Sequence, residues 1–188
     1  MLHPRFFSFV GFDNTRLQPV LPSSVYTRSC PRTEALVAAC RLGAGPATRP
    51  WAQPWEPARI EWPFGVLQVD DAEVARRACL HLDGSWCLAD ATSAAGRLRI
   101  RARAQIADRA WWRPLQAGDA WDAGWARDPG ALAGFAPRRA TLIVIDGDPD
   151  AAGRRALDGL ARQADALKRA LRVVMVGGLP GTARLVPA

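Results

Sequence analysis

The chain has 188 residues, 49% of them apolar and 23% charged, a balance that excludes both a fibrous protein and a wholly disordered one. This length suits one main domain with a real core, plus an ordered extension. The net charge is +7, and its 25 basic residues include a single lysine, Lys168. Such arginine-heavy usage resembles a GC-rich bacterial genome as much as a selected chemistry, so charge alone points to association with phosphates or anionic surfaces and not to a fold.

No stretch approaches the roughly 20 apolar residues that span a bilayer, and the run Phe6 to Val10 lacks a cleavage site after it. A soluble cytoplasmic protein without a membrane partner is the expectation. The four cysteines, Cys30, Cys40, Cys79 and Cys87, form no CxxC pair, which favours free thiols in a reducing compartment.

Residues 1–63 are interrupted by Pro4, Pro19, Pro22, Pro31, Pro46, Pro50, Pro54, Pro57 and Pro63. Proline fixes φ and removes a donor, so long helices and central strands are excluded there and a wrapping N-terminal arm is expected. One helix fits, Thr33 to Leu42, with Ala35, Leu36, Ala39 and Cys40 on one face and Gly43 as its stop. Trp51, Trp55 and Trp62 with their prolines read either as cover for the core edge or as a strap across a groove.

The α/β domain is expected over residues 64–188. Phe64 to Val69 reads as a strand, and Asp70 or Asp71 caps a helix over Ala72 to Leu80 with Glu73 in its first turn. After an Asp83-Gly84 turn, Ser85 to Ala89 reads as a strand. Arg97, Arg99, Arg101 and Arg103 then alternate with Leu98, Ile100, Ala102 and Ala104, a period of two that predicts an amphipathic strand with four guanidinium groups on one face. That face is either a solvated edge that blocks aggregation or a track for a phosphate backbone. Residues 111–137, with Trp112, Trp121 and Trp125 but no sustained period, read as a long irregular excursion that is packed by its tryptophans or carries a binding surface.

Thr141 to Ile145 is a continuous apolar run of the kind buried on both faces of a parallel sheet, and it ends in Asp146-Gly147-Asp148-Pro149-Asp150. Asp150 suits the N-cap of a helix whose apolar positions are Leu157, Leu160, Ala161, Ala164, Leu167 and Leu171. Asp158 with Arg162 and Asp165 with Arg169 lie on its solvated face. Arg172 to Val176 follows as a second strand, ended by Gly177-Gly178. The fold class is therefore α/β, with a parallel or mixed central sheet, a C-terminal βαβ unit and a proline-rich N-terminal arm.

Sites in open parallel sheets form beyond the carboxyl ends of the strands, where Asp146, Asp148 and Asp150 fall. Three carboxylates so close together repel one another unless solvated or neutralised, and Mg2+ takes such oxygens as ligands. An EF-hand is excluded, because the sixth and twelfth positions from Asp146 are Ala151 and Leu157. No phosphate-binding P-loop or dinucleotide fingerprint occurs. Cys79, His81 and Cys87 fall short of a tetrahedral zinc set, and neither His3 nor His81 lies near a nucleophile elbow.

The run Leu142 to Ala156, with Asp148 and Asp150 followed by Ala152-Gly153-Arg154, resembles the second acidic motif of Toprim domains. The resemblance implies a compact α/β domain that binds Mg2+ through acids and handles nucleic-acid phosphodiesters, with Arg154 and the arginine row at 97–103 on the nucleic acid. It also implies an acid from an earlier strand-to-helix turn. Val66 to Asp71 has the strand and helix for that turn but not the family's Glu-Gly pair, so Asp70 enters as a metal ligand and no catalytic residue is assigned. Two expectations follow: a nucleic-acid-associated, Toprim-like domain that need not be active, or a noncatalytic α/β interaction module of a bacterial assembly that binds a protein partner through its N-terminal arm and the 111–137 excursion.

Overall fold

The computed structural model describes residues 13, 15–20, 30–41, 64–85, 87, 91–109, 119–137, 139–146, 151–162 and 170–177. The described elements run, in chain order, β1 (Leu17–Pro19), α1 (Pro31–Arg41), β2 (Gly65–Val69), α2 (Ala72–Leu82), α3 (Ala94–Arg109), β3 (Asp122–Ala126), a 3-10 helix (Pro129–Gly134), β4 (Thr141–Asp146), α4 (Ala151–Ala161) and β5 (Leu171–Val176).

The strands form one mixed sheet in the order β1-β3-β4-β5-β2, in which β3, β4, β5 and β2 are mutually parallel and β1 lies antiparallel on β3. The expected C-terminal βαβ unit is present: β4, α4 and β5 follow one another, and Asp146 at the end of β4 pairs with Val176 at the end of β5. Because strand side chains alternate, β4 sends Leu142 and Val144 to one face of the sheet and Ile143 and Ile145 to the other, each nearly sealed from solvent. On the first face they meet α1 and α2 through Leu36, Cys40, Val74, Ala78 and Cys79. On the second they meet α4 and the 3-10 helix through Leu157, Leu160 and Leu132. Chain crossing the second face steps from β3 to β4 to β5, whereas chain crossing the first steps back from β2 to β3. Opposite directions on opposite faces give all these crossovers one hand, as parallel sheets require.

Part of the segment expected as an arm belongs to this core. Leu17 of β1 is buried beside Phe135 and Ile143, and α1 packs along α2. Pro19 is tolerated because, among the described strands, β1 stands at the edge of the sheet and pairs with β3 alone. Pro31 occupies the first helical position of α1, where its missing N–H costs nothing. The inward face of α1 is Thr33, Leu36 and Cys40, with Ala35 in solvent, a small rotation from the face read in the sequence. The tryptophans of residues 51–63 lie outside the described residues.

Four other readings are corrected. The arginine row is not a strand: residues 94–109 are helical, since alanine, leucine and arginine are strong helix formers and Ser93 caps the first turn by accepting from Gly96 N–H at 3.0 Å. Ser85 and Cys87 are also helical, and the buried Asp83 carboxylate starts that turn by accepting from Ser85 N–H at 2.6 Å. Gly84 supplies the positive φ of 82° that the Asp83-Gly84 turn requires. The 111–137 excursion contains β3, whose Asp-Ala-Gly-Trp-Ala sequence has little β propensity and is held by pairing on both edges. Leu171 begins β5 and does not end a long helix; α4 is described to Ala161, while Ala164, Leu167 and the Asp165–Arg169 pair lie outside the described residues.

α4 is drawn unusually close to the 3-10 helix at Gly159, where an added Cβ would stand 2.9 Å from the Cα of Ala133. Gly159→Ala should therefore lose about 1–3 kcal/mol from overpacking, more than the roughly 0.5–1 kcal/mol that alanine gains over glycine in a helix. Urea unfolding checks this, and a variant as stable as the parent would contradict the tight packing.

Candidate functional site

The parallel strands bring the carboxyl ends of β2, β4 and β5 to one edge of the sheet. Val69 and Asp146 both register with Val176, so Asp70 and Asp146 flank the end of β5, and both are exposed. Adjacent strands lie about 4.8 Å apart, which places these acids about 10 Å apart across the sheet. A cation held at about 2.1 Å from an oxygen of each would need both side chains to lean over Val176. Asp148 and Asp150, the other two expected ligands, lie outside the described residues, and among the described residues no group of three or more acids, histidines or cysteines stands together. Arg154 is exposed in the first turns of α4, below the same edge.

The first turn of α2 is fixed by its own side chains. Asp71 caps it, accepting from Glu73 N–H at 2.8 Å. Glu73 accepts from Arg76 Nε at 2.6 Å and Arg76 Nη2 at 2.8 Å, and from Arg77 Nε at 2.9 Å. Hydrogen bonding to Arg76 holds its carboxyl well down, at about 2. Glu73 is therefore committed to its helix and turned away from a role as acid or base at the edge. Because its folded pKa lies below the unfolded one, its stabilisation is present above the ordinary carboxyl value of 4.5 and is lost as pH falls from there toward about 2. The pair is two-fifths exposed on the Glu73 side, so Glu73→Gln should cost only about 0.5 kcal/mol at pH 7 and nothing below pH 2. Stability measured from pH 7 to pH 2 checks this, and an undiminished difference at the acid end would contradict it.

Comparison of the chain with family models, with curated proteins and with solved structures gives no match in any of the three. The resemblance of residues 142–156 to the Toprim motif is thus neither strengthened nor weakened by relatives.

The arginines expected on one strand face are distributed around α3. Arg97 and Arg101 stand four apart on one side of the helix and Arg99 and Arg103 on the other, and between them Leu98, Ala102 and Ile106 form an outward stripe at spacing four. Leu98 is 68% and Ile106 63% exposed, and among the described residues they are the large apolar side chains that stand out in solvent. Of residues 94–106 only Ala104 is buried. Arg97 Nε donates to Ala91 C=O at 3.2 Å, whereas among the described residues Arg99, Arg101 and Arg103 make no hydrogen bond or ion pair. The sequence does hold this stripe, but reading the segment at period two put Leu98 on the inside.

The cysteines separate into two environments. Cys40 and Cys79 are buried where α1 meets α2, and burial pushes the Cys40 thiol up to about 12 and the Cys79 thiol well above its ordinary value. Cys30 precedes α1, where the N–H groups of Thr33 and then Arg32 favour its thiolate and lower its pKa. With iodoacetamide at pH 7.5, Cys30 should alkylate in the folded chain, and Cys40 and Cys79 only after unfolding. Peptide mass spectrometry against time tests this, and labelling of Cys79 in the folded chain at the Cys30 rate would contradict it.

Proposed function

We propose that the chain is a noncatalytic α/β interaction module, an accessory subunit that docks onto a protein partner in a larger assembly. The observation that carries this reading is α3, a helix of 16 residues whose outward face presents Leu98 and Ile106 between arginines that have no ion pairs among the described residues. Two large apolar groups in line on one exposed helix face, with arginines on both sides, have the spacing that a docking helix uses for its anchors. Residues 119–126 are buried or half-buried and belong to the core, so that part of the excursion supports this reading less than α3 does. Size exclusion of a lysate from the protein's own cells tests it: the chain should elute in a heteromeric complex, and elution as the free protein would contradict the proposal.

A second reading is favoured by the edge geometry, in which Asp70 and Asp146 are both exposed beyond parallel strand ends. It is the Toprim-like, nucleic-acid-associated domain, with Mg2+ held by Asp146, Asp148, Asp150 and Asp70 and able to neutralise phosphate charge. Calorimetric titration with Mg2+ tests it on the parent and on Asp148→Ala with Asp150→Ala. Heat in the parent that disappears in the double variant would favour this reading over the first.

A further inference from the structure

We infer that the partner is a protein with an apolar groove rimmed by carboxylates, and that α3 lies in it with Leu98 and Ile106 as anchors and the arginines on the rims. The inference rests on the interaction-module reading and names the surface and the chemistry that serve it. The two anchors are eight residues apart, about 12 Å along the helix, with the small Ala102 between them to let a groove wall approach. Charge decides the occupant: residues 94–109 hold five arginines against one acid, Asp108. Arg99 and Arg103 flank one side of the stripe and Arg101 with Arg97 the other, so a complementary surface needs acids on both sides of an apolar floor.

Other occupants fit less well. A second copy of the helix would set arginine rims against each other. A lipid interface needs a broad apolar arc, and beside Leu98 and Ile106 the outward arc of α3 holds alanine, arginine and Gln105. A phosphate backbone would engage the arginines but leave Leu98 and Ile106 without apolar contact.

The test places p-benzoylphenylalanine, singly, in place of Leu98 or Ile106 in the full chain in its own cells, followed by irradiation and mapping of the cross-linked peptide. Both positions are exposed, so the melting temperature should stay at that of the parent. The expected product joins position 98 or 106 to a second protein at apolar residues flanked by Asp or Glu, and adding Arg99→Glu with Arg103→Glu should cut its yield by about tenfold. Cross-links to another copy of the chain, to nucleic acid or to lipid would overturn the inference, as would a yield insensitive to charge reversal. The same probe at Gln18 and Ala38, exposed on β1 and α1, separates the two claims. Protein cross-links there but none from α3 would overturn docking by α3 and leave the module standing; none from any position would overturn both.

Discussion

Trp121→Ala should lower the free energy of unfolding by about 3–5 kcal/mol, the range for truncating a large buried aromatic side chain. Trp121 is 1% exposed, immediately before β3, and its N–H donates to Leu82 C=O at 2.7 Å, tying the end of α2 to the sheet. The indole packs in the cluster that joins α1 and α2 to β3 and β4, so its loss leaves a cavity where four elements meet. Domains of this kind have only about 5–15 kcal/mol in total, so the variant should unfold at much lower urea with an unchanged slope. A shift below about 1 kcal/mol would mean that α2 is not packed on β3 as described.

Asp122→Ala should cost about 3 kcal/mol for a different reason. Asp122 opens β3 and Arg139 precedes β4, and Arg139 Nε lies 3.3 Å from Asp122 Oδ2 with both side chains about nine-tenths buried. Removing one member of a buried pair leaves the other charge in a poorly solvated place, a loss of about 3–5 kcal/mol. The lower end is expected because Arg139 has further interactions. Replacing both residues by apolar ones of similar volume should recover most of that loss. The double variant is thus the informative one: if it is as unstable as Asp122→Ala, the damage comes from packing at the strand start and not from a stranded charge.

The contrast between β4 and β3 explains how much of the fold could be read from residues alone. Leu142 to Ile145 state their burial in their own chemistry, because β-branched residues without polar interruption suit a strand covered on both faces. Asp122 to Ala126 carry no such statement; that segment is a strand because β1 and β4 offer it hydrogen bonds, a fact that resides in distant sequence. The caps tell the same story, since Asp71 could be foreseen from its place before Ala72, whereas Cys30 at the head of α1 could not.

At the candidate sites the local pattern was ambiguous in a specific way. Alternation of arginine with apolar residues over 97–104 satisfies period two, and the same letters place Leu98, Ala102 and Ile106 in line at period 3.6. Helix propensity over 16 residues and the Ser93 cap decide between them, and the decision moves the arginines from one face to the two flanks of an apolar stripe. For the acidic edge, the sequence placed Asp70 and Asp146 at strand ends but could not show that β5 lies between them, because strand order is set by the crossovers.

Docking through α3 is tested most simply by the native size of the chain beside that of a Leu98→Asp, Ile106→Asp double variant, both in extracts of the protein's own cells. The parent should elute within a heteromeric complex, and the variant as the free chain with an unchanged melting temperature. A variant that stays in a complex of the same size would contradict the claim that this protein works by docking through α3.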